Sequence, residues 1–258
     1  MDVPAEDLAL LLRSHHPLVA CETVEETRFE ALVRAVAGKL DLPFSSWSAA
    51  SGLFPSHPAD APKTADLAFA LKTIKASRAE GVWLLRDPQA HLENATALRA
   101  LRETAQEFSG TGRTLVLVGP HLPRKPELED LEVRFEFALP GKTELARLVT
   151  DVLHRTSRKA APVRAALSPS EAAALVSDLE GLTMFEAERS LARAIAEDGT
   201  LDAADLARIR RTKESLVGGG GLLELVAAPE GFERVGGLSR LKKWIETRKA
   251  GFLGTGGA

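Results

Sequence analysis

Two short stretches hold the carboxylates best suited to chemistry, and a third position is notable for lacking one. The first stretch, ETVEETRFE, carries Glu22, Glu25, Glu26 and Glu30 directly after an apolar run. A nucleotide-hydrolysing enzyme needs backbone N–H groups around the phosphates at that point, with a lysine on the β and γ phosphates and a hydroxyl on magnesium. A G-x-x-x-x-G-K-[ST] loop supplies all three, and this turn does not have it. Carboxylates a few ångströms apart in a partly dry cleft repel one another and any polyphosphate, so the turn is expected to reject a triphosphate. The same glutamates also read simply as favourable charge at a helix N-terminus. The second stretch, VWLLRDP, closes an apolar run with Asp87 and Pro88. An aspartate there suits magnesium held through water, but Pro88 takes the place of the carboxylate that would activate the attacking water. Asp-Pro is also an ordinary turn. At the end of the next apolar run, Gly119 and Pro120 stand where a hydrolysing site would place a polar side chain. With three positions vacant, no catalytic residue is assigned.

The remaining reactive side chains add no site. Cys21 is the only cysteine, which excludes an intramolecular disulfide, and its apolar setting marks a buried structural thiol. The six histidines are scattered, with no H-x-x-x-H or H-E-x-x-H, so no metal site is assigned. Lys and Arg total 33 against 36 Asp and Glu, a net charge of -3, and no global positive field draws in nucleic acid or anionic lipid. No apolar run approaches the roughly 20 residues that cross a bilayer, and the acidic start lacks the basic lead of a secretory signal. A cytoplasmic protein is expected.

These side chains need a scaffold, and the apolar pattern supplies one. An opening helix, Ala5 to His15, ends before Pro17, and Pro17 to Thr23 reads as a buried strand. Val24 to Leu40 is amphipathic at helical spacing, Leu42 to Trp47 alternates as a strand, and Ser51 to Thr64 is a Pro- and Ser-rich loop. Thr64 to Ala79 and Asn94 to Phe108 are further helices, while Gly81 to Pro88, Gly112 to Pro120 and Val133 to Pro140 are strands. Strand alternating with helix predicts an α/β fold, a mostly parallel sheet with flanking helices. After Pro140 the pattern predicts helices with no strand between them. Ser168 followed by Pro169 marks one helix start. The expected division is an α/β core over 1–140, an all-helical subdomain over 141–217, and a glycine-rich linker with a further element over 218–258.

The succession of RDPQAHLEN, TLVLVGPHLP, GLTMFEAE and VGGLSRLKKWIETRKAGF resembles AAA+ proteins of the cyanobacterial and plastid hypothetical-reading-frame type. The resemblance to an AAA+ module covers about residues 17 to 215 and implies a degenerate α/β core followed by a helical lid. Leu179 to Ile195 looks like lid helices, and Val235 to Leu238 looks like the lead-in to a second, active AAA+ domain. It implies that Asp87 is a vestigial Walker B position and that ATP and magnesium belong only to a downstream domain, with no cofactor in this chain. It also implies AAA+ domains of the same protein as partners, in a homo-oligomeric ring.

Basic residues gather in RIRRTK, with Arg208, Arg210 and Arg211, and in RLKKWIETRK, with Lys242 and Lys243. Such runs are commonly solvated helix faces; in an assembly they suit an acidic neighbouring subunit or a nucleic-acid backbone. Trp244 lies at helical spacing from Leu241, which fits apolar packing better than base stacking. The expected function is a non-catalytic AAA+-like module serving assembly or partner recognition. The alternatives are a nucleotide-binding module of a remodelling machine and a nucleic-acid-binding adaptor.

Overall fold

The computed structural model describes residues 3–55, 61–159, 164–217 and 237–252. The chain divides into two compact units, Met1–Ile209 and Arg210–Ala258. The core of the first unit is a six-stranded sheet in the order β3-β2-β4-β5-β1-β6. Its strands are β1 (Leu18–Glu22), β2 (Phe44–Ser48), β3 (Gly52–Phe54), β4 (Gly81–Arg86), β5 (Arg113–Gly119) and β6 (Glu132–Arg134). All pairings are parallel except β2 with β3.

The unbroken apolar runs arise because both faces of the sheet are covered. Side chains alternate along a strand, so Leu18 and Ala20, Trp83 and Leu85, and Leu115 and Leu117 enter one core, while Val19 and Cys21, Val82 and Leu84, and Val116 and Val118 enter the other. Helices α4 (Leu67–Ala76) and α5 (Ala95–Phe108) fill the first core with Leu71, Ile74, Leu101 and Phe108. The second core is filled by α1 (Val3–Arg13) and α2 (Glu26–Lys39) through Leu8, Leu12, Phe29 and Val33. Each fully buried leucine or phenylalanine contributes about 1.5–3 kcal/mol relative to exposure.

Several boundaries differ from the sequence expectation for local reasons. The helix expected from Thr64 begins at Leu67, because Asp66 accepts the Phe69 N–H at 2.8 Å and caps it. Asn94 caps α5 in the same way, through the N–H groups of Thr96 and Ala97. The stretch read as a loop over Ser51 to Thr64 holds β3 and a short helix, α3 (Ala61–Thr64); its residues 56–60 lie outside the described residues. Thr64 Oγ1 accepts the Leu53 N–H at 3.0 Å, and Thr64 O accepts Trp47 Nε1–H at 2.6 Å, which draws this segment onto the sheet. The strand expected over Val133 to Pro140 is short. Phe135 still donates to Ala20 O at 2.9 Å, then the chain leaves the sheet and Phe137 packs edge-on against Phe29.

Beyond the sheet, α6 (Lys142–Lys159), α7 (Pro169–Leu179), α8 (Met184–Asp198) and α9 (Ala203–Val217) gather around a third core containing Leu145, Leu175, Leu179, Leu191 and Leu201. This segment is not purely helical as expected. A two-residue parallel pair, β7 (Arg164–Ala165) and β8 (Thr200–Leu201), joins the segments before α7 and after α8. Ser168 does cap α7, in a reciprocal capping box with Glu171, and Gly199 ends α8 in the left-handed region at φ 76°.

In the second unit α10 (Ser239–Phe252) is a basic helix whose Trp244 is exposed and carries the Arg248 guanidinium 4.3 Å above its ring. The VGGL stretch falls partly outside the described residues; its last two, Gly237 and Leu238, have positive φ.

Candidate functional site

Adjacent parallel strands whose following segments go to opposite faces open a crevice at their carboxyl ends, the usual ligand position in an open α/β sheet. β1 and β5 are such a pair. After β1 the chain enters α2 on one face, while after β5 Leu122 and Leu128 join the other. The acidic turn therefore stands where the sequence places it, at the mouth of the crevice.

The four glutamates do not form one repelling cluster. Glu22 reaches across the crevice, accepting the Leu122 N–H at 2.8 Å with His121 at 3.6 Å, and these contacts hold its carboxyl below its ordinary pKa. Glu30 pairs with Arg34 at 2.8 Å and with Arg86 at 3.5 Å. Glu26 lies 3.9 Å from Arg86; burial and the nearby Asp87 push its carboxyl upward. Glu25 does something else. Its backbone N–H is fixed by Thr23 Oγ1 at 3.1 Å, and its side chain, 4% exposed, caps no N–H of its own helix.

That carboxylate bridges to the α6–α9 bundle. One oxygen accepts the backbone N–H of Met184, the first residue of α8, and the other accepts Arg28 Nη1. Arg28 then grips Glu144 in α6 through Nε and Nη2, both at 3.0 Å, and donates to Ala138 O at 2.8 Å from above the Phe137 ring. Glu144 also accepts the Gly141 N–H at 3.2 Å. Burial opposes its charge, but Arg28 and this N–H together hold its carboxyl below the ordinary 4.5. The seam between sheet and bundle is thus closed by protein charges that satisfy one another.

Arg28, Glu144 and Met184 were not legible as site residues. Glu25 and Met184 are 159 residues apart, and Arg28 and Glu144 are 116 apart. Two weak signals existed, the arginine inside an acidic turn and the T-x-x-E spacing of Thr183 and Glu186, which form a capping box at the α8 start. The letters GKT occur once, at Gly141 to Thr143, without the leading glycine. They open α6 rather than follow β1, and Lys142 lies 3.6 Å from Glu180.

Asp87 is exposed at the end of β4 in the left-handed region, φ 49°, with its N–H on Val118 O at 2.9 Å and Gln89 Nε2 3.5 Å from its carboxylate. A side chain at Gly119 would meet Gln89 at 2.8 Å and Asp87 at 3.3 Å, so the glycine leaves room for that acid. The expected interaction residues are not brought into one patch within a described unit. Arg208 pairs with Asp205 in the first unit at 3.4 Å; Arg210, Arg211, Lys242 and Lys243 belong to the second. Cys21 is buried in β1, and burial pushes its thiol up to about 12. Among the described residues no helix is long and apolar enough to cross a membrane, and no group of three or more His, Cys, Asp or Glu side chains is placed to hold a metal ion.

Residues 4–137 match the family model of the SpoVK-like AAA ATPase N-terminal domain, and residues 143–220 match that of its second domain. The chain is similar to the AAA domain-containing protein ycf46 of Trieres chinensis, 24% identical over 250 residues, covering 96% of this chain and 49% of that protein. The ycf46 proteins of Guillardia theta and Pyropia yezoensis are 24% and 22% identical, covering 96% of this chain and 48% and 49% of theirs. The chain thus spans about half the length of the curated relatives it matches. Among solved structures, the FIGL-1 AAA domain in complex with ADP is similar at a TM-score of 0.57 and 14% identity, covering 96% of this chain and 88% of that one. A RuvB variant of Thermotoga maritima follows at 0.51 and 13%, covering 82% and 66%. At such identities the likeness is one of fold.

Proposed function

This chain belongs to the SpoVK-like AAA ATPase family, and from that premise we propose that it is a non-catalytic AAA+ module, serving assembly or partner recognition within a longer ATPase. One observation carries the reading: the turn after β1 offers no lysine or phosphate-cradling loop, and its Glu25 and Arg28 are spent on the protein's own helices. A polyphosphate entering there would meet carboxylates already hydrogen-bonded and a guanidinium already occupied. Asp87 has Pro88 beside it, which neither activates nor orients water. On this reading the α6–α9 bundle is the lid of the module, held to the core without nucleotide. ATP hydrolysis, with its magnesium, belongs to the part of the longer relatives outside residues 1–258. Other AAA+ domains of the same assembly are the partners.

Incubation with ATP and magnesium, followed by phosphate release, tests this. No release above background is expected; release that disappears in Asp87→Ala would overturn the reading. The ADP complex of the FIGL-1 AAA domain favours a second reading, nucleotide binding without turnover. Calorimetric titration with ADP separates the two. Absence of heat at about millimolar ligand, the weak end of specific binding, removes the second, and saturable heat leaves the module non-catalytic but removes its closure without nucleotide.

A further inference from the structure

Glu25 occupies the N-cap position of α2 yet makes no side-chain cap bond there. At α8 the capping box satisfies two backbone donors: Thr183 Oγ1 accepts the Glu186 N–H at 3.2 Å and Glu186 accepts the Thr183 N–H at 2.8 Å. The Met184 N–H is left over, and it is the one Glu25 takes, at 2.5 Å. The same carboxylate lies on Arg28, whose side chain is 15% exposed, and is itself 4% exposed. An N–H at the positive end of a 15-residue helix beside a half-buried guanidinium is a pairing from which proteins build sites for oxyanions. Glu144 does not compete for the place, because it uses the other edge of the guanidinium and the Gly141 N–H.

We infer that the seam between sheet and bundle is an oxyanion site whose resident ligand is the chain's own Glu25 carboxylate, a tethered occupant in the place of a phosphate or carboxylate group. This deepens the reading of a module closed without nucleotide and rests on it. Two consequences follow: the wild-type seam takes no outside oxyanion, and removal of the carboxylate leaves a vacancy of matching charge and donors.

Thermal unfolding of wild type, Glu25→Ala and Glu25→Gln, followed against inorganic phosphate with ionic strength held constant by chloride, tests the inference. Both variants should melt below wild type without phosphate. Phosphate should raise the melting temperature of Glu25→Ala saturably, and that of wild type only by the non-saturating response common to folded proteins. The saturable part should vanish in the double variant Glu25→Ala, Arg28→Gln. An acetate arm distinguishes a preference for the carboxylate from one for phosphate, and a saturable gain from either supports the site. Equal phosphate responses in wild type and Glu25→Ala would overturn it, as would failure of both anions to recover a Glu25→Ala protein that does not fold alone. ATP turnover by wild type would sink the non-catalytic reading but leave these melting curves unchanged, so the two failures are distinguishable.

Discussion

Glu144 and Glu26 face opposite electrostatic circumstances and pull stability in opposite directions with pH. Glu144 is depressed: burial works against its charge, but the Arg28 fork and the Gly141 N–H outweigh it. A carboxyl depressed in the folded state adds stability that is present above its unfolded value and lost as pH falls through the folded one. Glu26 is raised, first by burial and then by Asp87, so its contribution is present at low pH and lost as pH rises. The Glu144→Gln variant is therefore expected to have a lower urea midpoint than wild type at about pH 7, with the gap closing as the buffer is taken below the carboxylate range. A gap that stays constant down to about pH 3 would contradict the assignment. At this scale the sequence showed which turn carries the acids but not what each acid touches. Glu22, Glu25, Glu26 and Glu30 look equivalent in the string ETVEETRFE, and only the fold sends one to Leu122, one to Met184 and two to Arg86.

The elements were more legible, because their signals are local. Three buried strands announced themselves as apolar runs, and Asn94 and Ser168 marked helix starts that the structure keeps. What escaped was short or depended on distant partners. β3 is three residues long and is held by Thr64, and the β7–β8 pair has two residues in each strand and no turn signal to announce it. The α8 start ties an element to the site. Its capping box orients Thr183, and the next residue presents its N–H to Glu25. Thr183→Ala should reduce unfolding free energy by about 1 kcal/mol, and Thr183→Ser should restore most of it in chemical denaturation. An equal loss in both variants would show that the methyl group, not the hydroxyl, matters there.

Across the first unit, the sheet and the bundle are joined by the Arg28–Glu144 ion pair and by the Met184 N–H donated to Glu25, so they should melt together. The two fully or largely buried tryptophans, Trp47 and Trp83, report the sheet, while far-ultraviolet circular dichroism is weighted toward the helices. In a Trp244→Phe background, which silences the second unit's tryptophan, the two denaturation curves are expected to coincide. Arg28→Ala should split them, with the helical signal lost first. Coincident curves in that variant would show that apolar contact alone couples the two parts. The alternation of strand and helix makes the α/β architecture readable in the sequence, whereas the coupling is not, since its partners are more than a hundred residues apart in the chain.

Glu25 and Arg28 stand at the entrance and the third position of one helix, and both take their aim from its winding. One added residue between them would swing Arg28 by about 100° around the α2 axis and point it away from Glu144. Exchange of chemically similar side chains leaves that phase untouched. Spacing, more than residue identity, is therefore the property of this turn that cannot drift without unfastening the two halves.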